Sequence, residues 1–420
     1  AIGYHALAAQ NNDTDTYNIA VGYDAGKSVT TGVQNTILGG LAGDALTTGT
    51  RNIAIGYSAL SSEDTGGRNI AIGRTALANL DAGQDGYNVA IGDDAGVSMT
   101  TGVNNTLVGG LAGDALTTGI SNTVLGRSAL SSEDTGNRAV AIGYGALFAQ
   151  NYDGNSYNVA MGYNAGTAVT TGVQNTIVGS LAGDAITEGT ANVALGYTAL
   201  TNLLTGAYNV AIGWGAMNSA NGSESRNIAI GRSALTAYDS SSNGYNTVIG
   251  DGAGSAITTG ANNTIIGGLA GDAITTGSNN IVIGQGAAAS AVDVSNEVNL
   301  YNGSVVARFQ GSASAWTFVS DERDKSDIED LELGTEFINK LKPRKFKWNH
   351  RSTDNDKGKQ ASGFVAQEVK EVLDKENINY TGIVDTNDPN QYTLAQANLI
   401  PMLVKAIQEL SEEVKQLKNK

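Results

Sequence analysis

Through residue 285 the apolar positions recur in one short phrase. An Asn is followed by two small, aliphatic or Thr residues, then by an aliphatic residue or Met, then by Gly, as in Asn18-Ile19-Ala20-Val21-Gly22. With the closing glycine as marker, the phrase falls at Gly3, Gly22, Gly39 and Gly56 and continues to Gly267 and Gly284. Most steps are 17 residues, with steps of 18 or 19 at intervals. Ala stands three residues after every marker, from Ala6 through Ala25 and Ala42 to Ala287. Asn stands four before nearly every marker (Asn18, Asn35, Asn52, Asn69), with Ala139 the exception. A longer period overlies the short one: Gly3, Gly73 and Gly143 lie 70 residues apart, so four coils make a super-repeat. Periods this short mark a solenoid.

Each repeat predicts a strand of about four residues, a glycine turn, a second short Ala-bearing segment and a Gly/Thr/Asn corner. Coils stacked ~4.8 Å apart would line the asparagines into a ladder of side-chain amides. In Asn18-Ile19-Ala20-Val21, Ile19 and Val21 point one way and Ala20 the other. Both faces are apolar, so both should be buried. The inside of a narrow coil covers one. The other needs a partner, most simply further copies of the chain around an axis; a monomeric solenoid with a small-residue outer face is the alternative.

Beyond the array the pattern changes. Residues 286–319 read as a β neck. Glu297–Tyr301 and Ser304–Phe309 flank Asn302-Gly303, a strong hairpin signal, and Trp316-Thr317-Phe318-Val319 reads as a further strand. Residues 320–420 have ordinary globular composition. Glu336–Leu341 suggests a helix stopped by Pro343, and Val365–Leu373 a second. Ile400, Leu403, Ile407, Leu410, Val414 and Leu417 follow a 3,4 spacing, a coiled-coil seam whose β-branched a positions ordinarily favour two strands. The domains expected are therefore 1–285, 286–319 and 320–420.

Composition sharpens this picture. The 420 residues include 55 Gly, 3 Pro and no Cys, with a formal charge of −16. Lys and Arg number 9 against 22 acids in residues 1–319, and 16 against 19 in the remainder. An acidic array does not grip nucleic acid or anionic lipid through charge. Without Cys, and with only His5 and His350, neither a thiolate nor a histidine metal cluster can form within one chain; no cofactor is expected. No apolar run reaches the ~18 residues of a membrane helix. The first residue falls inside a repeat, which reads as a fragment of something longer.

Sites within the array carry structural explanations beside functional ones. Tyr4, Tyr23, Tyr57, Tyr144, Tyr163, Tyr197 and Trp214 each follow a marker glycine. They could stack sugars or pack along a seam between chains. Asp44, Asp114, Asp184 and Asp272, in Gly-Asp-Ala triplets, could hold calcium between coils or form a solvated corner. Paired threonines such as Thr30-Thr31 and Thr47-Thr48 are adjacent rather than alternating and absent from half the coils, which argues against a flat threonine face. No carboxylate pair stands out as a glycosidase site.

The array is similar to the left-handed parallel β-roll of trimeric autotransporter adhesin heads. The sharper resemblance begins at Ser320-Asp321-Glu322-Arg323-Asp324-Lys325. A Ser–Lys dyad can cleave an amide without histidine, provided the lysine is neutral. Taken alone, a Ser and a Lys five apart would be a solvated turn. Yet that segment, Leu341-Lys342-Pro343-Arg344-Lys345-Phe346-Lys347-Trp348, Gly363-Phe364-Val365-Ala366-Gln367-Glu368-Val369, Tyr392-Thr393-Leu394 and Ala406–Leu410 together resemble the endosialidase-type C-terminal intramolecular chaperone of phage tail spikes and fibres. The resemblance implies Ser320 as nucleophile, Lys325 as general base, and a cleavage site adjoining Ser320. Asp321 and Arg323 fit the motif as possible supporting residues.

It also implies a homotrimer and a virion location, on the distal part of a tail fibre assembled in the host cytoplasm. The partners expected are further copies of the chain, a host cell-surface glycan or protein receptor, and an upstream tail or baseplate component; neither nucleic acid nor membrane insertion is expected. A bacterial trimeric adhesin head at the cell surface and a polysaccharide-degrading tail spike are the alternatives. The two halves belong together physically. Interchangeable coils give a degenerate register, which a C-terminal trimerising segment could fix before the array zips up.

Overall fold

A computed structural model describes the chain except residues 14, 221, 304–305, 311–316, 319–324, 348–359, 381, 387–391 and 420. Its contacts divide the chain into two units, Ala1–Val319 and Ser320–Lys420.

The first unit is a parallel β-solenoid. Sixteen three-residue strands, β1 (Ile19–Val21) to β16 (Ile281–Ile283), pair in parallel, each with the next. The register is one coil to the next, as in Ile19↔Thr36, Ala20↔Ile37 and Val21↔Leu38. Ile2 adds a bridge to Val21 ahead of β1. The middle residue of each strand is fully buried and its two neighbours are partly or largely exposed. The strands are thus one residue shorter than expected.

The Ala-bearing segment is not a second strand. The residues two and four after the marker adopt left-handed backbone, for example Ser58 and Leu60 at φ 53° and 54°. Non-glycine residues rarely accept this region. Hydrogen bonds between coils hold it here: the Ser58 amide donates to the Gly40 carbonyl at 3.0 Å, and the Leu60 amide to the Ala76 carbonyl at 3.0 Å. The marker glycine has no such latitude. Gly109 sits at φ +138°, and a Cβ there would lie 2.6 Å from the backbone carbonyl of Gly126 in the next coil. Only glycine lets successive coils approach this closely.

The asparagine ladder forms inside the solenoid. Asn175 accepts the Asn192 amide at 3.0 Å on Oδ1, while its Nδ2 donates to the Gly189 carbonyl at 2.8 Å. Where Ala139 interrupts the ladder, Gln150 Oε1 accepts from Asn158 Nδ2 at 2.8 Å. At the last coil Glu297 takes the ladder position, its amide donating to Asn280 Oδ1 at 2.9 Å. β17 (Glu297–Tyr301) continues the parallel sheet beside β16, so that sheet runs past residue 285. It then turns antiparallel through β18 (Val306–Gln310) and β19 (Thr317–Phe318), which gives the expected hairpin.

The second unit holds α1 (Thr335–Lys340), the antiparallel pair β20 (Arg344–Lys347) and β21 (Gln360–Gly363), α2 (Ala366–Lys375), the pair β22 (Val384–Asp385) and β23 (Thr393–Leu394), and α3 (Ile400–Lys418). Phe337, Leu341, Val369, Leu373, Ile383, Leu399 and Met402 form its core.

Candidate functional site

Of the four residues expected at the processing site, Ser320, Asp321 and Arg323 lie outside the described residues. Lys325 is described: it is exposed and precedes α1 in a stretch without regular structure. The motif segments downstream do come together. β20 pairs with β21 through Arg344↔Gly363 and Phe346↔Ala361. Arg344 grips Glu368 of α2 with two parallel bonds, Nε to Oε2 at 2.9 Å and Nη2 to Oε1 at 2.7 Å. That contact raises the Arg344 pKa and holds the Glu368 carboxyl below its ordinary value. α3 closes on α1: Glu409 accepts the Thr335 amide at 2.7 Å, and the Thr335 hydroxyl donates to the Ala406 carbonyl at 3.2 Å. The bond from the Thr335 amide is the largest influence lowering the Glu409 pKa. The motif residues thus tie β20 to α2 and α1 to α3.

The seam on α3 points away from that core. Met402 and Ala406 are buried, whereas Ile400, Leu403, Ile407, Leu410, Val414 and Leu417 are 44–70% exposed. A helix with one face packed and a second apolar face open has room for a further partner on that face.

In the solenoid, the aromatic row after the marker glycines is exposed, and Tyr4–Tyr23 and Tyr144–Tyr163 stack with ring centroids 5.5 Å apart. A second column, missed in the sequence, stands five before each marker. It holds Tyr17, Tyr87, Tyr157, Tyr208 and Tyr245, all exposed, together with Arg51, Arg68, Arg138 and Arg226. Arg68 lies over Tyr87 at 5.3 Å, and Arg226 between Tyr208 and Tyr245 at 5.2 and 5.7 Å. The signal was available as a fixed offset from the marker.

Several of the remaining candidates make local contacts. Asp44 pairs with Lys27 at 3.1 Å, and Asp114 accepts the Ser131 hydroxyl. Burial raises the Asp184 pKa. The threonine hydroxyls join coils at the corner: Thr30 Oγ1 donates to the Thr47 carbonyl at 3.2 Å and Thr47 Oγ1 to the Asp64 carbonyl at 3.1 Å. Among the described residues Glu63, Asp64 and Asp81 bring carboxylate oxygens within 4.8 Å of one another. Both Glu63 oxygens already accept backbone amides, from Gly66 at 2.7 Å and Ala82 at 3.1 Å. Glu63, Glu133 and Glu224 are fully buried, each beside a loop that lengthens a coil, and burial raises the pKa of all three.

The fold defines a repetitive parallel β-solenoid followed by a small α+β unit. Residues 320–378 match a peptidase-family model described as "chaperone of endosialidase". No curated protein and no solved structure matches the chain. The second unit is therefore similar, from its first residue, to an endosialidase-type chaperone. No helix among the described residues is long and apolar enough to cross a membrane.

Proposed function

We propose that residues 1–319 are the distal part of a homotrimeric viral tail fibre that attaches to a host surface, and that residues 320–420 are its intramolecular chaperone. The chaperone aligns three chains and is then released by autoproteolysis next to Ser320. The observation that carries this reading is the family match, which begins at Ser320, the residue that opens the second contact unit. Two exposed apolar surfaces support the trimer: the outer strand face of the solenoid and the seam of α3. Each is of a kind that association buries.

In the proposed chemistry the Ser320 hydroxyl attacks the carbonyl of an adjoining peptide bond. Its proton passes to neutral Lys325 and on to the leaving amine, and water then hydrolyses the ester, returning the hydroxyl. Cutting separates the folded rod from its template, so unfolding and reassembly no longer follow one path and stability becomes kinetic.

Ser320→Ala and Lys325→Ala chains test the assignment. Both are expected to assemble as trimers and to run at full length on a denaturing gel, where the parent chain gives two fragments. Two fragments from either variant would remove that residue from the mechanism.

A further inference from the structure

We propose that the two aromatic columns of the solenoid meet across the subunit boundary. The column five before each marker glycine in one chain packs on the column that follows the marker in the next chain. This rests on the trimer proposed above and says which residues form its seam.

The geometry comes from the backbone. Asn at four before the marker and the strand centre at two before it are buried inside the coil. The positions five, three and one before the marker, and one after it, therefore share the outer side. The face runs in order from a column that carries Tyr and Arg, through a column of aliphatic residues and Thr and an aliphatic column, to a second column that carries aromatics and Arg. Residues 1–319 contain 14 Tyr, of which eleven lie in the two flanking columns. Seven of the 9 Lys and Arg in the same residues lie there too, leaving only Lys27 and Arg308 elsewhere. In a rod with 22 acids, this places nearly all the cations and aromatics on a single side.

Threefold symmetry about an axis along the rod makes every contact heterologous, so the left flank of one chain meets the right flank of the next. Each flank offers both rings and cations. One holds Tyr17, Tyr87, Tyr157, Tyr208 and Tyr245 with Arg51, Arg68, Arg138 and Arg226. The other holds Tyr4, Tyr23, Tyr57, Tyr144, Tyr163, Tyr197 and Trp214 with Arg74, Arg127 and Arg232. Arginine on an aromatic face gains most when the contact is desolvated.

A second copy fits this face better than a glycan does. Between the columns run aliphatic side chains such as Ile19, Leu38, Leu125 and Met161, 41–59% exposed, and sugar hydroxyls laid on them would lose hydrogen bonds to water. Tyr17, Tyr87 and Tyr157 also recur at the 70-residue period of the core, a period that another copy of the chain necessarily shares.

The natural chain has no cysteine, which allows a clean cross-linking test on the full chain. Tyr157 and Tyr163 flank one strand. The strand Val159–Met161 and the residue on each side of it keep them more than about 10 Å apart, beyond the ~7 Å Cα separation that a disulfide tolerates. The double variant Tyr157→Cys/Tyr163→Cys, oxidised mildly, is expected to give a covalent three-chain species on a denaturing gel, and each single variant only monomers. Tyr157→Cys with Tyr144→Cys, and Tyr157→Cys with Ser180→Cys, cover a stagger of one coil either way. If the native mass is that of a trimer and none of the three pairs cross-links, or if a single variant links to itself, the column pairing is overturned while the trimer stands. A native mass of one chain overturns both.

Discussion

Glu63 shows how a single buried acid serves the roll. The coil after it is lengthened, and its two oxygens accept the amides of Gly66 and Ala82 that the lengthened loop leaves without coil-to-coil partners. Burial raises its pKa, and the nearby Asp81 and Asp64 act in the same direction. The sign of the pH effect follows. Below the unfolded value of about 4.3 the side chain is neutral in both states and its stabilisation is complete. As pH rises the unfolded chain ionises first, so stabilisation falls until the raised folded value is passed. Glu63→Ala leaves two amides without acceptors and should cost about 2–4 kcal/mol. Glu63→Gln should cost less, and its deficit against the parent chain should shrink as pH rises above about 4.3. Unfolding midpoints measured from pH 4 to 8 check both.

The coil is the element, and its core is a volume exchange between two positions. Coils centred on Ile37, Leu107, Ile177 and Ile265 have Gly four after the marker, and so does the coil before each. The reason is space: a Cβ on Gly26 would lie 2.7 Å from Ile37 Cδ1, and one on Gly96 the same distance from Leu107 Cδ1. Coils with Ala at the centre can place Leu at that position instead, as Ala194 does with Leu200, both fully buried. The 70-residue super-repeat is thus a packing period. Ala194→Ile should overpack the core and cost about 1–3 kcal/mol. Adding Leu200→Gly should recover part of that loss, a coupling that a double-mutant cycle on unfolding midpoints would read.

At the scale of the whole molecule, the strands can pair coil to coil at any offset that keeps Asn, Ala and the marker glycine in place, because these recur in nearly every coil. Such degeneracy makes assembly slow and prone to misalignment. A segment that joins three chains at one end removes the ambiguity, and α3 leaves an apolar seam exposed on which such a segment could associate. Residues 1–319 expressed alone should therefore yield mainly misassembled or aggregated chains, with few trimers by native mass. Rods formed from the full chain and then cut should survive heating and, once unfolded, fail to refold. Prompt trimer formation by residues 1–319 alone would make the chaperone superfluous.

The sequence by itself determined the parallel solenoid, the asparagine ladder, the neck hairpin and the three helices. Each of these follows from a local period or turn signal that survives without knowledge of distant contacts. Tertiary structure decided the rest. The Ala-bearing segment became a run of left-handed turns, since its cost is met by hydrogen bonds to the coils on either side, which no single repeat contains. The column of Tyr and Arg before the ladder emerged as one flank of a face only when its exposure and its neighbours in adjacent coils were known. The burial of Glu63, Glu133 and Glu224 depends on a loop folding back over them, which no local period signals. At Ser320 the motif remains the argument, since a nucleophile and its base are a matter of distance, which spacing along a chain does not set.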